Sequence, residues 1–232
     1  MTAETARGWA RLAGLLYLIG GLTGVYGILY GASLVVPGDA ATTAKHILAA
    51  QSIFRLSIVS ALLDQIIFIA VTLALFQLLK AVNGTMAALM VIFLLIDVPI
   101  AALNELNNGA VLFLLGDTGS LNGFTADQQH ALAFLFLGLH AFGLNIFYFI
   151  GAPWLLAMGY LVFASGFLPR ILGILLFING SAYLTTSLFA LLRPDLSLNL
   201  VMFTGWVEVV FALWLLIRGI NVARWEERAL GS

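Results

Sequence analysis

The sequence predicts an all-α fold, a six-helix transmembrane bundle with both termini in the cytoplasm. The chain is 62% hydrophobic and only 9% charged, and its mean hydropathy is +1.07. Soluble domains are about 25% charged, which excludes an ordinary water-exposed surface. Apolar stretches recur at the length of about 20 residues that a membrane span requires. Most of the basic residues also fall on one side of the membrane when six spans are assumed.

The six expected spans form one integral-membrane domain covering residues 1–232. The first begins close to the N-terminus, and its apolar run is far longer than the roughly 7–15 apolar residues of a signal peptide. We therefore expect this segment to be retained as a span. The spans are predicted at about 9–35, 52–79, 85–115, 128–165, 168–192 and 200–222.

Turn-forming residues separate these spans. Pro37-Gly38-Asp39 predicts a turn, followed by a short helix on the membrane surface over residues 40–51. Asn83-Gly84 predicts a tight turn before the third span. A polar loop is expected at 116–124, and Thr125 with Gln128 has the spacing of a capping box that opens the fourth span. Breaks are expected at 166–170 and 193–195.

The fourth apolar stretch is longer than one crossing requires, so a seventh span has to be considered. Basic residues concentrate on the cytoplasmic side of membrane proteins. Seven spans would place the basic residues from Arg170 onward outside, which makes six the better count. The excess length then predicts an outer extension from Asp127, with a kink near 151–153. Six spans leave Lys45 and Arg193 outside and place these residues inside: Arg7, Arg11, Lys80, Arg170, Arg218, Arg224 and Arg228.

Small residues four positions apart line the first span, as Gly20 with Gly24 and Gly27 with Gly31. Such pairs let helix backbones approach closely in lipid. They predict close packing inside the bundle, and the alternative is a homodimer through the first span.

The absence of cysteine excludes disulfides, thiolate metal sites and thiol catalysis. No basic patch with interleaved aromatic residues is present, so nucleic acid is not expected as a partner. No cofactor is expected either. His140 and the carboxylates could ligate a metal, but no closely spaced histidine pair supports such a site.

Four carboxylates lie within the apolar stretches, at Asp64, Asp97, Glu105 and Glu208, and Arg55 is the single Lys or Arg that accompanies them. Each charge at bilayer depth costs about 2.5–3.5 kcal/mol on insertion scales. Burial also disfavours the ionised form of a carboxylic acid. Some of the four are therefore expected to hold a proton near neutral pH, unless a cation is bound. They are the candidate catalytic or proton-carrying residues, and structural pairing is the alternative.

The third span carries its polar residues as a stripe. Asp97, Asn104 and Asn108 are spaced by seven and four residues, which brings them within about 40° of one another on a helix, and Glu105 lies at the edge of that face. The stripe is expected to face the bundle interior. Asp97 should be near mid-depth and the other three should be nearer the outside.

Polar residues of the other spans are also expected in the outer half of the bundle. Arg55 should reach Glu105 or Glu208 rather than Asp64, since nine residues turn a helix by about 180°. Each has a structural alternative: an asparagine or histidine can simply bridge helices, and an arginine can extend to the lipid head groups. The candidate ligand-binding residues are Arg55, Asn104, Asn108, His140, Asn145 and Asn179.

An ordered set of motifs resembles a known family. The set runs through Ala10-Arg11-Leu12-Ala13-Gly14-Leu15, Val36-Pro37-Gly38-Asp39, Phe54-Arg55 with Asp64, His140-Ala141-Phe142-Gly143-Leu144-Asn145, Phe167-Leu168-Pro169-Arg170 and Glu208. Together these motifs resemble the bacterial integral-membrane family described as domain of unknown function 4386. The resemblance covers about residues 7 to 221 and implies a multi-pass bacterial membrane protein, without implying an activity. Polar positions that match the family pattern are Arg55, Asp64, Asn104, His140, Asn145 and Glu208.

These observations favour a protein of the bacterial inner membrane with an outward-facing, acid-lined pocket for a small amphipathic or lipid-like molecule. If it is an enzyme, Glu105, Glu208 or Asp97 is the acid, and Arg55 and His140 orient a polar or anionic head group. A proton-coupled small-molecule transporter is the alternative, although no inverted repeat is evident. A third possible function is that of a partner subunit whose polar stripe binds a helix of another protein. Membrane lipids are expected partners of all three.

Overall fold

The computed structural model describes residues 2–116, 123–196 and 198–230, which contain helices and no strand. Part of the polar loop expected at 116–124 lies outside these residues. The helices are α1 (Ala3–Ser33), α2 (Ala40–Ala49), α3 (Gln51–Leu79), α4 (Gly84–Leu115), α5 (Ala126–Ser165), α6 (Arg170–Leu192), α7 (Val201–Thr204), α8 (Trp206–Ile217) and α9 (Val222–Leu230).

The first five expected spans are confirmed as long apolar helices, namely α1, α3, α4, α5 and α6. The expected sixth span is divided. Val201–Ile217 is followed by α9, which is bent away by 93°, so the described residues contain five helices that could cross a membrane, or six if this pair counts as one. The helix cannot continue to residue 222 as predicted because Gly219 adopts a left-handed conformation, with φ of 67°, between α8 and α9.

The spans form a ring in which each helix packs on its neighbours in the chain. Successive contacts run α1–α3, α3–α4, α4–α5 and α5–α6, and α8 closes the ring by packing on both α6 and α1. Side chains such as Leu22, Leu106 and Met202 remain more than 60% exposed on the outside. An exterior of this kind suits lipid, because hydrocarbon rather than water surrounds it.

Glycines permit the closest crossings in this ring. A Cβ atom at Gly14 would lie 2.6 Å from the carbonyl oxygen of Ala212, which shows how closely α1 approaches α8. Gly20, Gly24 and Gly27 face Phe68, Asp64 and Ala61 of α3. The predicted close packing inside the bundle is thus observed. A homodimer through the first span stays a prediction that a single chain does not test.

The start of α1 and the last helix, α9, are in contact at one end of the bundle, which we call the terminal end. There Trp225 of α9 is buried and its indole N–H donates to the carbonyl of Leu78 at 3.2 Å. Arg224 and Arg228 donate to the carbonyls of Gly166 and Ala164 at the end of α5. These contacts fix α9 across the ends of α3 and α5.

The opposite end is closed by α2 and by loops whose predicted turns are observed. Gly38 has φ of 78°, and Asp39 caps α2 by accepting a hydrogen bond from the Thr42 amide at 2.9 Å. The predicted capping box opens α5, with Thr125 and Gln128 each accepting from the backbone amide of the other. Beneath α2, an apolar cluster joins the helices at this end through Ile47, Phe54, Val111, Leu114, Ala133 and Leu137.

Candidate functional site

Glu208 of α8 is the centre of the polar interior. One of its carboxylate oxygens, Oε2, accepts a hydrogen bond from the Tyr17 hydroxyl at 2.7 Å. The other, Oε1, accepts from the Asn179 amide at 2.9 Å and from the Tyr183 hydroxyl at 3.1 Å. Two helices, α1 and α6, therefore direct three neutral donors at one carboxylate. We call Glu208, Tyr17, Asn179, Tyr183 and the nearby Asp64 the Glu208 cluster.

Asp64 of α3 brings a second carboxylate to this part of the bundle, one helical turn before Phe68, whose ring contacts Tyr17. It packs against Gly24 of α1, where a Cβ would come within 3.0 Å of the carboxylate. Its Oδ2 accepts from the Gln65 amide at 3.0 Å, while its buried Oδ1 has no donor among the described residues. The buried Oδ1 of Asn179 also lacks a donor in this part of the chain. The cluster thus has more acceptors than donors.

Aromatic side chains enclose the Glu208 cluster. The Tyr17 ring packs edge-on against Phe68 and Phe211, with centroids 5.0 and 6.2 Å away. Tyr148 of α5 packs in the same way on Tyr183, at 5.0 Å. Since such surroundings exclude water, interactions between charges there are stronger than they would be in water.

The position of the cluster along the helices can be measured from the basic residues of the terminal end, and the outer-half location expected for Glu208 and Asn179 stays a prediction. Tyr17 is ten residues from Arg7, and Glu208 is ten residues from Arg218. Ten helical residues span about 15 Å. This distance from the terminal end is about half of the roughly 30 Å hydrocarbon thickness.

A second polar group lies further toward the opposite end, between α4 and α5. The His140 ring nitrogen Nε2 is 2.9 Å from Oε1 of Glu105, and their side chains are only 13% and 12% exposed. The Asn108 amide donates to Oε2 of Glu105 at 2.9 Å, and the Asn104 amide donates to the His140 carbonyl at 3.0 Å. Glu105 is therefore paired with His140, not with Arg55.

The predicted polar stripe of the third span is buried between helices. Asp97, Asn104 and Asn108 are 4%, 9% and 4% exposed. Gly143 and Gly151 of α5 leave room for it, since a side chain at residue 143 would collide with Asn104, and a Cβ at residue 151 would lie 2.9 Å from Oδ2 of Asp97. The buried Oδ1 of Asp97 has no partner among the residues described.

Arg55 and Asn145 do not join these groups. Arg55 is exposed and forms no hydrogen bond or ion pair with a described residue, so its expected contact with Glu105 or Glu208 is wrong. Its place near the start of α3 lets the side chain extend outward, the structural alternative for this residue. Asn145 donates to the Ala141 carbonyl of its own helix at 3.3 Å.

Tyr17 and Tyr148 belong to the site although sequence reasoning did not select them. Tyrosine in spans usually lies at the membrane interfaces. A tyrosine deep within an apolar run is the signal that could have identified both. Within the described part of the chain, no group of three or more histidine, aspartate or glutamate side chains converges as a metal site.

A cavity of about 400 Å³ lies at the terminal end between the α5–α6 and α8–α9 turns, and none of the four candidate carboxylates lines it. It is lined by Gly166, Phe167, Leu168, Pro169, Trp214, Arg218, Gly219, Ile220, Asn221 and Arg224.

Comparison with known proteins places this bundle in a family. An uncharacterized protein of Archaeoglobus fulgidus is 28% identical over 165 residues, which cover 70% of this chain and 83% of that protein. No solved structure matches the chain. The family model for domain of unknown function DUF4386 matches residues 12–219, nearly the whole ring of helices. The chain therefore belongs to the DUF4386 family.

Proposed function

We propose that this membrane protein binds a small amphipathic molecule in its polar interior, with the head group at the Glu208 cluster. The observation that carries the proposal is that the carboxylates of this cluster have no basic partner. Glu208 accepts hydrogen bonds from three neutral donors, Asp64 belongs to the same cluster, and no basic side chain among the described residues is paired with either carboxylate. Buried charges are normally paired or neutralised, so the cluster requires protons or a ligand that supplies donors.

The surplus of hydrogen-bond acceptors in the Glu208 cluster indicates which kind of ligand head group it would bind. Asp64 Oδ1 and Asn179 Oδ1 are buried without donors, and each such atom costs about 1–3 kcal/mol. A head group that donates several hydrogen bonds, above all a cationic amine, would satisfy both. An anionic head group is disfavoured, because Arg55 is exposed and is not paired with Glu105 or Glu208, so it brings no positive charge to the cluster. The apolar part of the ligand would lie against aromatic side chains such as Phe68 and Phe211.

Access from the outside, past the Glu105–His140 pair, is part of this proposal. The pair is on the side of the Glu208 cluster that faces the opposite end, and the polar stripe of α4 runs between the two depths. The seven basic residues of the terminal end support a cytoplasmic location for that end in a bacterial inner membrane.

Matched amphiphiles test the head-group chemistry. Dodecylamine, dodecanol and dodecanoate share a chain length and differ in charge, and their binding to protein in nanodiscs can be followed by thermal stability and native mass spectrometry. We expect dodecylamine to bind best. Glu208→Gln should weaken its binding about tenfold or more, the value of one charge-assisted hydrogen bond.

Glu226→Gln is the matched control, since Glu226 is an exposed glutamate of α9. It should leave dodecylamine binding unchanged. Equal binding of the amine and the carboxylate, or an equal loss in both variants, would refute the proposal.

Proton-coupled transport is the second candidate, and the Glu105–His140 pair favours it. Their 2.9 Å contact is a hydrogen bond through which a proton can move, and it lies between the opposite end and Glu208. An amide in place of a carboxylate cannot release a proton. Glu105→Gln or Glu208→Gln should then give a folded protein that retains some ligand binding but cannot turn the ligand over or transport it. Full transport activity of both variants in proteoliposomes would exclude proton coupling through these carboxylates, and ligand binding would then be the remaining function.

A further inference from the structure

The residues that line the cavity at the terminal end have no part in the proposed function. Two arginines, Arg218 and Arg224, line it, and none of its lining residues is acidic. Neither arginine forms an ion pair with any residue that the structure describes. Two like charges that share a cleft without a counter-ion attract an anion.

The donors of both guanidinium groups are largely available. Arg218 is exposed and forms no hydrogen bond with a described residue. Arg224 uses one nitrogen, Nη1, to donate to the Gly166 carbonyl at 3.2 Å, which anchors the group at the wall of the cavity. Each guanidinium carries five N–H donors in a fork that matches phosphate oxygens.

Two left-handed glycine turns hold the cavity open. Gly166, with φ of 74°, ends α5, and Gly219, with φ of 67°, ends α8. The backbone amide of Asn221 donates to the Phe167 carbonyl at 3.0 Å and joins the two turns. The cleft is therefore fixed by the backbone, and its volume of about 400 Å³ is within the range of small-molecule sites.

The surroundings of the cleft indicate that the anion belongs to a lipid. Its floor is apolar, with Phe167 and Leu168 almost fully buried. Ile171 and Ile217, which are close in the chain to the lining residues Pro169 and Arg218, are 57% and 67% exposed and offer an apolar surface for an acyl chain. Basic pockets between spans at a membrane surface bind the head groups of anionic lipids.

We propose that the cleft between the α5–α6 and α8–α9 turns binds the phosphate head group of an anionic phospholipid. Arg218 and Arg224 bind the phosphate oxygens, and the acyl chains descend along Ile171 and Ile217. The site is at the membrane surface of the terminal end, about 15 Å from the Glu208 cluster along α8. It does not depend on the function proposed for that cluster.

The test compares lipids that survive delipidation. Full-length protein is reconstituted in nanodiscs of phosphatidylcholine with or without phosphatidylglycerol, extracted, washed and examined by native mass spectrometry. We expect the wild type to retain phosphatidylglycerol in preference to phosphatidylcholine. Arg218→Gln should reduce that preference about fivefold, the attraction of one basic side chain near an anionic surface. Arg218→Lys should keep most of it.

Arg11→Gln is the matched control, because Arg11 is an exposed arginine of the same end that does not line the cleft. It should retain phosphatidylglycerol like the wild type. An equal loss in Arg11→Gln would mean that diffuse surface charge attracts the lipid, and would overturn the proposal. Displacement of the lipid by millimolar inorganic phosphate would overturn it as well, since the site would then belong to a soluble anion.

Discussion

Removal of the Tyr17 hydroxyl tests the charge that Glu208 carries. In Tyr17→Phe, the oxygen Oε2 of Glu208 loses its 2.7 Å hydrogen bond, and no other described residue donates to that oxygen. The aromatic contacts of Tyr17 with Phe68 and Phe211 remain, so the substitution opens no large cavity. The change in stability therefore measures the strength of a single bond.

The expected cost depends on whether Glu208 is ionised. A hydrogen bond between neutral groups in a membrane protein contributes about 0.6 kcal/mol, and at most about 1.7 kcal/mol. A bond to an ionised carboxylate contributes about 1.5–3 kcal/mol. We expect a protonated Glu208 in the ligand-free protein, and thus a loss of about 0.6–1 kcal/mol, which lowers Tm by about 1–4 °C.

Reversible unfolding in bicelles between pH 5 and pH 8 provides the measurement. Tyr26→Phe is the matched control on the same helix, because the Tyr26 hydroxyl forms no hydrogen bond with a described residue. It should leave stability unchanged. A loss of about 3 kcal/mol at pH 8 that shrinks as the pH falls would show that Glu208 is ionised, and the argument for a protonated cluster would be wrong.

Three further predictions concern topology, packing and pH. Single cysteines at the two ends should differ in intact cells: a membrane-impermeant thiol reagent should label a cysteine at the position of Lys45 or Arg193 but not one at the position of Lys80 or Arg170. Labelling at residue 170 would contradict the six-span topology. Gly14→Ala should cost about 1–3 kcal/mol by unfolding, since its new methyl meets the backbone of α8, whereas Gly21→Ala has free space and should not destabilise. Hydrogen bonds from the Thr42 amide and hydroxyl lower the pKa of Asp39, so the cap stabilises α2 above the ordinary aspartate pKa, and this stabilisation is lost as the pH falls through the lowered value. Tm measured against pH should show the loss in the wild type and not in Asp39→Asn. Identical profiles of the two proteins would exclude the cap as the cause of the loss.

The first five spans and the burial of the α4 stripe follow from local features of the sequence. Span lengths follow from the thickness of the bilayer, and Asp39 and Thr125 mark helix starts through local hydrogen bonds, so neither depends on distant parts of the chain. The spacing of Asp97, Asn104 and Asn108 correctly predicts one buried face, because helical geometry alone brings them together.

The contacts between polar groups of different helices depend on how the helices pack in three dimensions. Arg55 was expected beside Glu105 or Glu208, yet His140 is the partner of Glu105, because the packing of α4 on α5 fixes which side chains come within 3 Å. The same holds for Tyr17 and Glu208, which are 191 residues apart and meet because α8 closes the ring against α1. The bend at Gly219 likewise turns α9 across the terminal end and shapes the arginine-lined cleft. Helix periodicity is a local property of a sequence, whereas the partner of each helix depends on close approaches such as those at Gly14 and Gly24, which involve the whole chain.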